Sequence, residues 1–380
     1  MNLIPYGKQY IDKNDIRLVA KSLRNSLITT GKYVINFEKK IQNYLNCKFA
    51  TTCNSGTSAI YLALQAIGIK KNDILIMPSI NFVASYNIAK LFGAKVYLAD
   101  VNKYNGQMAP SNVLDVCKKF KINKVKAIIT MYNTGYPENV ENFKSFKEKF
   151  GAYIIEDACH AFGSEYILKN KRYKVGSCAH SDISIFSLHP LKTITTGEGG
   201  IVTTNSKYLD SKIKKLRSHG ILRNKNYHWK YDVLYAGLNF RLNDFQCALG
   251  ISQLKKIKKF ISYRNKIANK YSKKLNLVND IKCPNLNKNY ISSNHLFLIN
   301  LKKPNILKKE KLIKYMLKSK IILQYHYIPL YKFKFFSDKY LGKNAEIYYK
   351  STISLPIYYG LKAKEQNLII NKIKIFFKRK

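Results

Sequence analysis

"FSLHPLKTITTGEGG", residues 186–200, sets Lys192 apart from most of the lysines in a chain that carries 67 lysines and arginines. Elsewhere lysines sit beside other lysines or on polar helix faces; this one stands alone among Ser, Thr, His and Gly. The run it follows, "SDISIFSL" (181–188), is apolar and β-branched and reads as a buried strand. The "TTGEGG" behind it reads as a tight turn, where glycine lets the backbone approach a bound group closely. A lysine fixed in such a place can lose its proton and form an imine with an aldehyde cofactor. Taken alone, a solvated turn lysine is the plainer reading.

Outward from this strand the same texture repeats. "DILIMPSI" (73–80), "AKVYLAD" (94–100), "VKAIIT" (125–130) and "AYIIED" (152–157) also read as buried strands. Helical patterns such as "SAIYLALQAIGI" (58–69) and "VENFKSFKEKF" (140–150) lie between them. Strands alternating with helices predict an α/β domain with a mainly parallel sheet, and polar residues at the carboxyl ends of its strands are candidates to line a site. From residue 244 the pattern changes. "DFQCALGISQLKKIKKFISYRNKIANKYSKKL" (244–275) has helical periodicity, followed by strand-like "NHLFLINL" (294–301) and "KIILQYHYIPL" (320–330). This predicts a smaller α+β domain and a division into residues 1–245 and 246–380. No repeat and no flexible linker is apparent.

The totals set the frame. At 380 residues and 46% apolar content the chain can bury a large core and hold two domains. It has no apolar run of membrane-spanning length, and its start, "MNLIPYGKQY", lacks the basic and apolar regions of a signal peptide. A cytoplasmic location without membrane attachment is expected. Seven cysteines with no CxxC pair fit neither a zinc site nor a disulfide framework, so buried thiols in a reducing compartment and no metal are expected. The formal charge of +45 invites a nucleic-acid reading, but it is spread along the chain and is mostly lysine. Arginine, the preferred fork for phosphates and base edges, is scarce, so no specific nucleic-acid role is expected.

Three further stretches bear on Lys192. In "CNSGTSAIYLAL" (53–64), Ser55, Gly56 and Thr57 open a helix, and their N–H groups with the helix dipole can make an anion site; an ordinary helix cap is the plainer meaning. In "IIEDACHAFG" (154–163), Asp157 falls where an apolar strand runs out. It is either a salt-bridged structural group or the carboxylate that holds a proton on a pyridine nitrogen. In "NFVASYN" (81–87), Phe82 can stack on a flat cofactor or can be a core phenylalanine. An imine lysine, a pyridinium partner, a phosphate cradle and a stacking ring are what pyridoxal phosphate requires, and each falls at an element boundary.

With "CNSGTSA", "EDACHAFGS", "FSLHPLKTITTGEGG", "LRSHGI" and "GLNFRLNDFQCALGISQL", the chain resembles, nearly end to end, the DegT/DnrJ/EryC1/StrS sugar aminotransferases. The resemblance implies the type I pyridoxal-phosphate aminotransferase fold, with a seven-stranded, mainly parallel sheet and a smaller C-terminal α+β domain. It implies that Lys192 carries the cofactor as a Schiff base and that Asp157 pairs with the ring nitrogen. Ser55, Gly56, Thr57 and Ser187 would hold the phosphate, Phe82 would stack on the ring, and His160 would pack against the cofactor. Asn239 would reach the phosphate from the neighbouring subunit of a homodimer whose sites lie at the interface. Tyr6, the segment Ser26, Leu27, Ile28 and Thr29, and the segment Gln324, Tyr325, His326 and Tyr327 would contact a sugar nucleotide. Arg217, His219, Arg223 and Lys225 would either add positive charge for its pyrophosphate or be solvated. A lysine rather than a histidine at position 192 implies transamination rather than dehydration. A narrower likeness, in "IPYGKQYID", "NSLITTGKYVINFEKKI", "LQYHYIPLY" and "SLPIYYG", is to transaminases that aminate a UDP-linked 4-keto sugar of pseudaminic acid synthesis with L-glutamate.

Overall fold

Seven short apolar runs between residues 49 and 204 align into one sheet, because each is buried on both faces and has no other way to satisfy its backbone. They are β1 (Phe49–Cys53), β2 (Ile74–Pro78), β3 (Lys95–Ala99), β4 (Ala127–Met131), β5 (Tyr153–Asp157), β8 (Ile183–Ser187) and β9 (Gly200–Thr204). A hairpin of β6 (Glu165–Leu168) and β7 (Lys171–Lys174) lies outside it. The computed structural model describes residues 3–284 and 287–378, so the outermost residues of the expected division, 1–2 and 379–380, fall outside it.

The strand order is β1-β9-β8-β5-β4-β2-β3. From β8 to β3 every pairing is parallel, while β9 runs antiparallel to both β8 and β1. The expected seven strands gain an eighth: the two-residue strand Lys339–Tyr340 adds in parallel to the β3 edge. Side chains alternate between two cores. Leu75, Met77, Ile129 and Ile155 enter one, and their neighbours Ile76, Ile128 and Ile154 enter the other. The helices α3 (Gly56–Ala66) and α4 (Val83–Leu91) cover the first face.

Among the described residues two helices precede β1, namely α1 (Lys13–Leu23) and α2 (Lys32–Leu45). The start of α2 has only Gly31 as its cap, which offers no side-chain acceptor. Asp244, fully buried at the start of the helix Asp244–Lys255, accepts the Gly31 and Tyr33 N–H groups at 2.7 and 2.9 Å. Asp244→Ala leaves both donors buried without partners. It is expected to cost about 2–3 kcal/mol, read as a lower guanidinium midpoint, with Asp244→Asn losing less.

Beyond Lys255 the chain builds a third core. The expected long helix is two, Asp244–Lys255 and Ile257–Leu275, separated at Lys256. The first packs on α1 and α2, and the second packs with the helix Ala363–Lys378. The strands Ile281–Lys282, Phe297–Leu301 and Thr352–Leu355 form an antiparallel sheet. Ile4, from the opposite end of the chain, is buried in this core. The stretch 320–330 departs from expectation, since it forms no continuous strand. Ile321 bridges Ile4 and Gln324 bridges Ser354, so its partners are met one residue at a time from different segments before Pro329 removes a donor.

Candidate active site

The carboxyl ends of β2, β4, β5 and β8 open onto a cavity of about 360 Å³. Its wall contains Ser55, Gly56, Thr57, Phe82, Asp157, His160, Ser187 and Lys192, brought together from four separate stretches of chain. Tyr6, His326 and Tyr327 close it from the side of the third core.

At one end stands the start of α3. Ser55 is its cap, with Oγ accepting the Ser58 N–H at 3.0 Å. The plain capping reading of Ser55 is therefore realised, and the N–H groups of Gly56 and Thr57 remain without an acceptor among the described residues. Ser187, the last residue of β8, faces this turn so closely that a Cβ on Gly56 would stand 2.9 Å from the Ser187 Cβ. Gly200, at the start of β9, is needed for the same approach, since a Cβ there would lie 2.1 Å from the Ser55 carbonyl oxygen. Together, unpaired N–H groups, a hydroxyl and a helix N-terminus offer the donors that a phosphate can accept.

Asp157 ends β5 and is buried. Its carboxylate accepts the Ser85 hydroxyl at 3.2 Å and the Cys159 N–H at 3.2 Å. Burial raises its pKa above the usual carboxylate range, against the Cys159 bonds and the charge of Lys192, which lower it. Lys192 lies half-buried across the cavity, with its backbone N–H tied to the His189 carbonyl at 2.9 Å. Burial lowers the pKa of its amine, opposed by the nearby Cys159 and Asp157. Gly197 provides the turn behind it at φ +82°. Phe82 is 53% exposed, which excludes a core role; its ring centroid is 5.8 Å from that of Tyr327.

His160 is buried beside this group. Its Nε2 is 2.8 Å from the Tyr327 hydroxyl, while its Nδ1 has no partner among the described residues. Burial first, then Lys192 and His326, hold its pKa well below the ordinary value, so the ring is neutral. The buried Nδ2 of Asn81 also lacks a partner among the described residues and lies in the wall. Such orphaned groups mark where a polar ligand completes the structure. A flat, phosphate-bearing, aldehyde cofactor fits what is present: a cradle, a ring face, a buried carboxylate, and an amine of lowered basicity.

Sequence reasoning missed Asn81, Glu198 and His295, which also line the cavity. His295 comes from the third core and packs 4.4 Å from the His160 ring centroid. The signal available was the polar "SSNH" directly before the strand Phe297–Leu301. Gln324 and Tyr325 line an adjoining groove of about 320 Å³ that shares Tyr6, Phe82, His326 and Tyr327 with the cavity. Two expected groups do not reach the cavity of their own chain. Ser26, Leu27, Ile28 and Thr29 are exposed, held near the start of the helix Asp244–Lys255 by the Thr29–Asn243 bridge and the Asp244 N–H on the Ile28 carbonyl. Asn239 is exposed, on a bridge to Ser218. Arg217 is committed elsewhere, since it pairs with Glu38 at 2.6 Å; Arg223 and Lys225 are exposed. All seven cysteines are free thiols and six are buried, leaving Cys159 in the cavity wall.

The profile of the DegT/DnrJ/EryC1/StrS aminotransferase family matches residues 9–374. The chain is 38% identical over 380 residues to the UDP-4-amino-4,6-dideoxy-N-acetyl-beta-L-altrosamine transaminase of Campylobacter jejuni, covering 97% of this chain and 96% of that one. It is 33% identical to the Helicobacter pylori enzyme of the same name, over 99% and 98% of the two chains. The structure of Helicobacter pylori PseC, an aminotransferase involved in the biosynthesis of pseudoaminic acid, superposes with a TM-score of 0.90 at 30% identity, over 99% of this chain and 100% of that one. The chain belongs to the DegT/DnrJ/EryC1/StrS aminotransferase family and is, with it, a pyridoxal-phosphate-dependent aminotransferase.

Proposed function

We propose that the protein transfers an amino group from L-glutamate to UDP-2-acetamido-2,6-dideoxy-β-L-arabino-hexos-4-ulose, giving UDP-4-amino-4,6-dideoxy-N-acetyl-β-L-altrosamine. The observation that carries this is the convergence of Lys192 and Asp157 on one cavity that continues into a second groove. The similarity to transaminases of that name supports the choice of sugar.

In this reading pyridoxal phosphate supplies an aldehyde and an electron sink, which make an amino acid α-proton removable. The first turn of α3 and Ser187 would hold the phosphate, and Phe82 would lie against the ring. Asp157 would keep a proton on the ring nitrogen. Lys192 would bind the aldehyde, and its amine of lowered pKa is suited to accept and return a substrate proton. Tyr327 and neutral His160 fix the inner wall through their 2.8 Å contact. Tyr6, Gln324, Tyr325 and His326 contact the sugar nucleotide.

We further propose a cytoplasmic homodimer, with Asn239 and residues 26–29 serving the partner's site. Exposed apolar residues at Leu27, Ile28, Leu222, Trp229, Tyr231 and Val233 support such an interface. The division into residues 1–245 and 246–380 is also proposed, and the separate third core supports the second unit. Among the described residues no helix is long and apolar enough to cross a membrane.

The test compares 4-keto sugars linked to UDP, GDP and dTDP as acceptors, with glutamate as donor. Parallel lines in double-reciprocal plots and a clear preference for the UDP sugar are expected. Preference for a GDP- or dTDP-linked ketosugar would replace the proposed substrate by another of the family's C3 or C4 acceptors.

A further inference from the structure

The small core holds a buried cation that the chemistry above does not use. Lys309 is 1% exposed, on the helix Ile306–Lys318. A lysine so deeply buried ordinarily has a carboxylate beside it. Here the amine donates to the Tyr349 carbonyl at 2.5 Å and otherwise faces two aromatic rings, with Nζ 3.7 Å from the Tyr325 centroid and 4.8 Å from that of Tyr349. The rings meet edge to face, with centroids 5.8 Å apart. Tyr349 belongs to the helix Lys343–Ser351, and Tyr325 lines the outer groove, so one ammonium group ties two elements to a groove wall.

We infer that Lys309 is a positioning residue for the amino acceptor, fixing the Tyr325 ring at the mouth of the groove from behind. This rests on the reading that residues 324–327 contact the sugar nucleotide. A cation within about 6 Å of a tyrosine face holds it electrostatically, most strongly where water is excluded. Tyr325 is two residues from Tyr327, whose hydroxyl meets His160 in the cavity, so a shift of this strand-like segment reaches the inner wall.

Burial pushes the Lys309 pKa down to about 7, with Glu310 on the same helix opposing. The other charges near the cluster are Lys332, 5.5 Å from the Tyr349 ring, and Glu346, which pairs with both Lys332 and Lys350. The ammonium form exists below that pKa and is lost above it. The hold on Tyr325 therefore weakens as pH rises through neutrality.

The test uses the full-length, cofactor-loaded enzyme and the UDP-4-keto sugar, with donor and acceptor half-reactions followed separately. Lys309→Met is expected to raise the acceptor KM about ten-fold while the glutamate half-reaction stays as in wild type. The wild-type acceptor KM should rise with pH through neutrality, and the variant's should not. Lys309→Arg, charged at every pH used, should keep a low KM and lose the pH dependence. Tyr325→Ala is the control for the underlying reading. If it leaves the acceptor KM unchanged, residues 324–327 do not contact the acceptor and both readings fall. If Tyr325→Ala raises the KM and Lys309→Met does not, only the role of Lys309 is overturned. Equal slowing of both half-reactions by Lys309→Met would also overturn it, as a purely structural effect.

Discussion

Lys192→Ala is expected to lower the transamination rate by about 10⁴-fold or more, while leaving the protein folded. In the proposed reaction the lysine does two things that no neighbour can take over: it holds the cofactor's aldehyde carbon and carries a proton between two carbons. The chain has 67 lysines and arginines, yet among the residues lining the cavity Lys192 is the one lysine. Its amine is also of lowered basicity through burial, so more of it is unprotonated near neutral pH than on the surface. Lys192→Arg keeps the positive charge and cannot form an imine, so it should be as inactive as alanine. A small primary amine such as methylamine should restore part of the alanine variant's rate by replacing the missing base. The purified wild type should show a visible absorbance band with pyridoxal phosphate that borohydride fixes on Lys192. Wild-type turnover by Lys192→Ala, or a reduced adduct scattered over surface lysines, would remove Lys192 from the reaction.

What could be read from the sequence follows a physical line. Ser187, at the end of β8, was indicated only by the family resemblance, whereas Asp157 and Lys192 were legible because each ends or follows an apolar strand, and strand ends of a parallel sheet share one edge of the fold. Phe82 and the α3 turn were legible for the same reason. His295 was not, since its place at the cavity depends on how the third core docks, a packing of segments more than a hundred residues apart. The stretch 320–330 misled because β-branched and aromatic residues suit a strand, but the backbone partners it meets are single residues of unrelated segments. Only the tertiary structure shows that Asp244, at the start of its own helix, caps α2 from 211 residues away. Lys309 hid in the lysine-rich "LKKEKLIKY". It does, however, share the spacing of buried Leu312 and Met316, at i, i+3 and i+7 on one helix face, and that period was the available signal.

Asp157→Asn is expected to lower kcat by about 10²–10³-fold and to leave the cofactor-free protein at least as stable as wild type at neutral pH. The two halves of this expectation separate a ring partner from a structural carboxylate. Asparagine is nearly isosteric and can still accept the Cys159 N–H and bond Ser85, so the local hydrogen bonds survive. What it cannot do is hold a proton on a pyridine nitrogen by charge. In the cofactor-free protein the folded-state pKa of Asp157 is raised, chiefly by burial. Its ionised form is thus disfavoured by folding. As pH climbs from the unfolded value to the raised one, folding loses stability. Removing the charge removes the penalty, so the cofactor-free variant's unfolding midpoint should equal or exceed the wild type's. Bound cofactor reverses the comparison, because a ring cation next to Asp157 stabilises the anion and has no such partner in the variant. The cofactor should therefore raise the unfolding midpoint of wild type more than that of Asp157→Asn. A variant that loses stability and activity together without cofactor would instead identify Asp157 as part of the scaffold. A variant with wild-type kcat would show that the ring nitrogen does not depend on it.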